Sequence, residues 1–240
     1  MTRLSVNINK IATLRNARGG NVPNLLNFAK KIEAYGAHGI TVHPRPDERH
    51  IRYNDVVALK QIIKTELNIE GNPKEDKFIK LVLETLPNQV TLVPDSNDQL
   101  TSDHGWNTIH EKKFLIETIE IFKAKGIRTS IFVDANETMV AGAAETGTDR
   151  IELYTEEYAK EYTVDPIKAI APFVSAANKA NELNIEINAG HDLDLNNLNY
   201  FSKNINKLKE VSIGHALISD ALTFGMETTI HKYLNEINRI

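Results

Sequence analysis

The run Gly39-Ile40-Thr41-Val42-His43-Pro44-Arg45-Pro46-Asp47-Glu48-Arg49-His50 decides how this chain folds. Ile40, Thr41 and Val42 are β-branched, the composition of a strand. Pro44 and Pro46 cannot continue a central strand and hold their neighbours extended, so the strand stops near His43 and a stiff loop follows. Two imidazoles and a guanidinium at the carboxyl end of a short strand are the pattern of an α/β protein, which keeps its chemistry there. The bland alternative is a polar surface loop with two chance histidines.

The pattern repeats in both directions. Upstream, residues 4–8 form a strand, residues 9–20 a polar loop with Lys10, Arg15, Arg18 and a glycine pair, and residues 23–35 an amphipathic helix closed by Gly36. Downstream, the spacing predicts helices over 54–67, 74–85, 111–125, 137–146, 165–183 and 195–206, with a last helix running to the C-terminus. Between them lie strands at 68–71, 89–93, 128–133, 150–154, 185–188 and 210–213. Pro172 implies a break or kink in its helix. The long loop 95–107, with Thr101, His104 and Trp106, has the length of a lid.

Eight strand–helix units with no linker predict one closed (β/α)8 (TIM) barrel over residues 1–240, with extra helical and loop insertions. An open dinucleotide-binding sheet is disfavoured, because residues 9–18 hold no G-x-G-x-x-G. Net charge is −4, which offers no bulk attraction to nucleic acid or an anionic membrane. The absence of cysteine excludes disulfides and thiolate chemistry. No apolar run approaches ~18 residues, and the first residues lack a signal-peptide core, so a cytoplasmic protein is expected.

Barrel closure would bring the strand ends onto one rim: Asn7 and Asn9-Lys10, His43, Glu70, Asp134, Glu152, Gly190-His191 and Gly214-His215, with apolar strand bodies behind them. Gly190 and Gly214 would let backbone approach a phosphate, a helix starting after His215 would aim free N–H groups at it, and Arg18 could close over it. His43 with Glu70, and separately His191, suit proton transfer. A metal held by His43, His50, Glu70, His191 and His215 competes, although two histidines alternating on one strand are absent. Lys10 is the lysine nearest a strand end for Schiff-base chemistry. A metal-dependent hydrolase or aldolase and a non-catalytic phosphometabolite-binding barrel therefore stay open.

Val6-Asn7-Ile8 and the string 11–19, the run 39–51, Leu92-Val93-Pro94, Asn188-Ala189-Gly190-His191 and Ile213-Gly214-His215-Ala216 occur in this order. In that ordered set the chain resembles the pyridoxine 5′-phosphate synthase family. The resemblance implies a barrel condensing 1-deoxy-D-xylulose 5-phosphate with 3-amino-2-oxopropyl phosphate, without metal or organic cofactor, in a homo-oligomer, typically an octamer. It implies His43 as acid/base, Glu70 as second proton acceptor and His191 as proton donor. Asn7, Arg18, Asp192 (through its backbone), Gly214 and His215 would bind the aminoketone phosphate. Arg45, His50 and Thr101 would bind the deoxyxylulose phosphate. Asn9 and Lys10 stand where many members carry Asp-His, and are counted with the substrate-binding residues. Asp192 stands where glycine is expected, which would set a carboxylate beside a phosphate unless its side chain turns away.

Overall fold

The structure, a computed structural model, describes residues 1–96 and 99–239. The strands are β1 (Arg3–Asn7), β2 (Gly39–Val42), β3 (Glu66–Gly71), β4 (Gln89–Leu92), β5 (Arg128–Val133), β6 (Arg150–Tyr154), β7 (Glu186–Gly190) and β8 (Leu208–Ile213). Each pairs parallel with the next. β8 returns to β1 from Arg3↔Glu210 to Val6↔Ile213, which closes the barrel. Around it run α1 (Asn9–Asn16), α2 (Leu25–Ala34), α3 (Tyr53–Ile62), α4 (Asp76–Thr85), α5 (Lys112–Lys123), α6 (Glu137–Ala144), α7 (Glu156–Tyr162), α8 (Pro166–Glu182), α9 (Leu198–Asn204), α10 (His215–Phe224) and α11 (Met226–Asn238). Among the described residues no helix is long and apolar enough to cross a membrane.

Each strand is two-faced. Leu4, Val6, Ile40, Val42, Leu67, Ile69, Val90 and Leu92 are buried in one apolar cluster with helix residues such as Ile32, Leu59, Phe122 and Tyr158. Most alternate positions are polar, and several bond to one another across the strands, while Phe132 of β5 packs with Val93 and Tyr154 in a second apolar cluster. Ser5 Oγ lies 2.7 Å from Thr41 Oγ1, Thr91 donates to Asn68 Oδ1 at 3.1 Å, and Gln89 Oε1 accepts from Arg128 Nε at 2.9 Å and Arg150 at 3.2 Å. Glu66 pairs with both Arg3 and Arg128 near the strands' amino ends. Burying such groups unpaired would cost about 1–3 kcal/mol each; these bonds remove that penalty where they form, whereas Ser130 Oγ, Glu152 Oε2 and Asn188 Oδ1 are buried without a hydrogen-bond partner among the described residues. The expectation of apolar strand bodies behind the rim is therefore corrected: the apolar core is the shell between strands and helices, not the barrel axis.

Other expectations also shift. Residues 9–16, read as loop, are α1, held by buried Ile11, Ala12 and Arg15. The helix expected over 54–67 ends at Ile62, and β3 begins at Glu66, because Leu67 and Ile69 face the shell while Asn68 bonds across the barrel. α7 was not anticipated; Tyr158 anchors it in an aromatic cluster with Phe173 and Phe201. α8 continues through Pro172 without a break. The single terminal helix is two, split at Gly225, whose φ of 78° lies in the left-handed region. Residues 97 and 98 of the expected lid lie outside the described residues.

Candidate active site

The loop after β2 is clamped by α1. Arg15, 3% exposed, sends both terminal nitrogens to the Asp55 carboxylate at 2.7 and 2.8 Å and one of them to the His50 carbonyl at 3.1 Å. Asn16 donates to the same carbonyl at 2.8 Å. Asn9 fixes the loop's other end, its Oδ1 accepting from the His43 backbone N–H at 3.0 Å, while its own N–H donates to Asn7 Oδ1 at 3.0 Å. Arg15 thus serves the fold, and Asn9 holds His43 in place.

His43 lies between two carboxylates. Its Nδ1 is 3.9 Å from Glu70 Oε2 and its Nε2 is 3.9 Å from Asp95 Oδ2. Burial, then the positive charge of Arg45, pushes His43 well below the ordinary histidine range. Burial, then the Glu152 carboxylate, pushes Glu70 well above the ordinary carboxylate range. Both groups are thereby biased to their uncharged forms, and 3.9 Å exceeds a hydrogen bond, so the pair is not a fixed ion pair. A neutral imidazole beside a protonated carboxyl is an arrangement for taking and returning a proton at neutral pH. Asn7 Nδ2 reaches Glu70 Oε2 at 3.3 Å.

Arg45, 4% exposed, pairs with Asp95 and donates to the carbonyls of Ser96 at 3.3 Å and Gln99 at 3.1 Å. The His50 ring sits 6.5 Å from that of His43, centroid to centroid, and is lowered to about 4 by burial and by Arg45 and Lys10. Lys10 is exposed at the start of α1. Across the mouth, Thr101 Oγ1 lies 3.0 Å from His191 Nε2, and Asp192 Oδ2 lies 2.9 Å from His191 Nδ1. His215 opens α10, and the N–H of Ile218 reaches back to the Gly214 carbonyl at 3.0 Å. Arg18 is exposed beyond α1, with no hydrogen bond or ion pair among the described residues.

The two rim glycines also sit against close neighbours. A Cβ at Gly190 would sit 2.4 Å from Glu152 Oε1, and one at Gly214 would sit 3.0 Å from the Asn7 Cβ. Their missing side chains make room for these neighbours. Glu152 itself, 3% exposed, is raised to about 8 by burial and by Glu210.

Sequence reasoning named Glu152 on the rim without a role, and missed Asp95 and Tyr154. Asp95 follows Pro94 in a loop and gives no strand-end signal, although it is 6% exposed and touches both Arg45 and the His43 side. Tyr154, whose ring meets His191 at 5.0 Å and 75°, is the last residue of β6 and could have been found there. Asp134 proves to be an anchor, accepting from the Gly105 N–H at 2.9 Å, next to buried Trp106, whose Nε1 donates to the Leu92 carbonyl at 3.0 Å.

A closed parallel barrel with a buried imidazole–carboxyl pair at its carboxyl rim defines a (β/α)8 barrel with a candidate proton-transfer site. The family described as pyridoxal phosphate biosynthesis protein PdxJ matches residues 4–239, and the chain belongs to it. It is 61% identical over 234 residues to a pyridoxine 5′-phosphate synthase of Christiangramia forsetii, covering 98% of each chain. It is 59% identical over 239 residues to that of Cytophaga hutchinsonii, covering 100% of each. Among solved structures, a phosphoribosylanthranilate isomerase of Thermotoga maritima shares the fold at TM-score 0.62 and 14% identity, each chain covered fully.

Proposed function

We propose that this protein is a pyridoxine 5′-phosphate synthase, condensing 1-deoxy-D-xylulose 5-phosphate with 3-amino-2-oxopropyl phosphate to pyridoxine 5′-phosphate, phosphate and water. The observation that carries the reading is identity of about 60% from end to end with synthases of that name. The geometry supports the division of labour. Joining an amino ketone to a ketose phosphate, expelling phosphate and dehydrating to an aromatic ring each require a proton to leave one atom and reach another. His43 is the acid/base, neutral and within 3.9 Å of Glu70. Glu70 is its exchanging partner, and His191, on the opposite side of the mouth, is the proton donor.

Two phosphorylated substrates need two anion sites. Arg45, His50 and Thr101, with Lys10 beside them, bind the deoxyxylulose phosphate; the exposed Lys10 cation beside His50 supports this, while Arg45, engaged with Asp95 and the Ser96 and Gln99 carbonyls, shapes the loop. Asn7, Arg18, the Asp192 backbone, Gly214 and His215 bind the aminoketone phosphate, the start of α10 offering unpaired N–H groups. The protein acts as one domain in the cytoplasm, without metal or organic cofactor, in a homo-octamer. Exposed Leu14, Val22 and Leu222 support burial against further copies.

The test is phosphate release from chelator-treated protein given both substrates, and each alone. Release that needs both, together with appearance of pyridoxine phosphate absorbance, is expected. No release under any condition overturns the reading, and release only after metal is restored favours a metal-dependent hydrolase or aldolase. Light scattering checks assembly, with eight times the 26.9 kDa chain mass expected.

A further inference from the structure

We propose that the Asp192 carboxylate is a positioning residue for His191, fixing which ring nitrogen carries the proton and where the other aims. This goes beyond a backbone contact to phosphate and rests on the reading of His191 as proton donor.

The geometry around the ring is complete on three sides. Asp192 Oδ2 lies 2.9 Å from Nδ1, Thr101 Oγ1 lies 3.0 Å from Nε2, and the Tyr154 ring meets the imidazole edge-on at 5.0 Å. An ionised carboxylate can only accept, so Nδ1 must carry a hydrogen. The hydrogen bond from His191 holds the Asp192 carboxyl below its usual range, which keeps it ionised and accepting. Nε2 is then the nitrogen free to exchange a proton, and Thr101, a hydroxyl able to donate or accept, matches it in either state.

The backbone is bent to make this contact. His191 and Asp192 have φ of 84° and 58°, in the left-handed region that side chains enter rarely. Two side chains hold the bend: Thr155 donates to the Gly190 carbonyl at 2.9 Å and also to that of His191, and Asn197 Nδ2 donates to the Asp192 carbonyl at 3.1 Å. Two consecutive left-handed residues turn the Asp192 side chain back onto its neighbour's ring, where an extended continuation of β7 would send them to opposite faces. A conformation that costs energy and ends in a charge-assisted hydrogen bond to a catalytic ring is the arrangement by which a carboxylate sets an imidazole's tautomer.

Asp192→Asn and Asp192→Gly both tolerate left-handed backbone, so each variant should fold. In protein labelled with ¹⁵N at histidine, at about pH 9 where an imidazole is neutral, the His191 resonances of the parent protein should report a hydrogen on Nδ1. In both variants the Nε2–H form should rise to about half or more. Turnover should fall roughly tenfold, part of the ~10²–10⁴ that a positioned acid contributes, with KM for the aminoketone phosphate unchanged within about twofold. An unchanged tautomer overturns the proposal. So does a lower KM with turnover intact, which would mean that the carboxylate merely opposes the phosphate. Absence of turnover in the parent protein overturns the synthase reading instead, and the ring resonances still decide the pairing.

Discussion

His43 and Glu70 owe their character to surroundings more than to each other. Burial drives both towards neutrality, and at 3.9 Å they face each other without a hydrogen bond of their own. His43→Ala and Glu70→Gln should each lower turnover by about 10²–10⁴, with circular dichroism unchanged; a stability loss matching the activity loss would return both residues to the core. Glu70→Gln has a second signature. Its carboxyl pKa is raised on folding, so the folded state gives up stability as pH rises from the ordinary carboxylate range, about 4.5, towards the raised value. The advantage of the glutamine variant in urea unfolding should therefore be small near about pH 4 and grow as pH rises, and a pH-independent difference would defeat the assignment. These residues were legible because each ends a strand. Asp95 was not, because its place beside Arg45 depends on how a loop folds back, which no spacing encodes.

Among the elements, α1 carries the most consequence for the site. Its sequence, Asn9 to Asn16, is polar and offers no side-chain cap, so local propensity hides it. Its helicity comes from tertiary contacts, chiefly the burial of Arg15 against Asp55, which also caps α3 by accepting from the Arg52 N–H at 2.8 Å. One guanidinium thus joins two helices and the loop bearing His43, Arg45 and His50. Arg15→Lys keeps the charge but cannot make the two-pronged contact. It should cost about 1.5–3 kcal/mol in urea unfolding and raise KM for the deoxyxylulose phosphate more than for the aminoketone phosphate. An equal rise for both would separate the loop from that subsite. The α3–β3 boundary was misplaced for a related reason: Glu66 and Leu67 read on from the helix until their pairing with Gly39 and Ile40 across the sheet assigns them to β3.

At the scale of the molecule, eight-fold alternation was readable and the character of the barrel's interior was not, although the signal was present. Leu-Ser-Val-Asn, Ile-Thr-Val-His and Leu-Asn-Ile-Glu alternate strictly, whereas parallel strands buried on both faces usually read as continuous apolar runs. Thinning the apolar shell is survivable: Leu67→Ala should cost about 2–5 kcal/mol and keep one cooperative unfolding transition. Removing Leu67 outright should abolish that transition, because a one-residue slip exchanges the two faces of β3, turning Asn68 from Thr41 and Thr91 into the apolar shell. A barrel apolar on both faces would absorb such a slip. Here an added residue is tolerated within a strand only where a bulge restores the two faces, as the register shift between β7 and β8 does, so length change in this gene is expected to concentrate between strands.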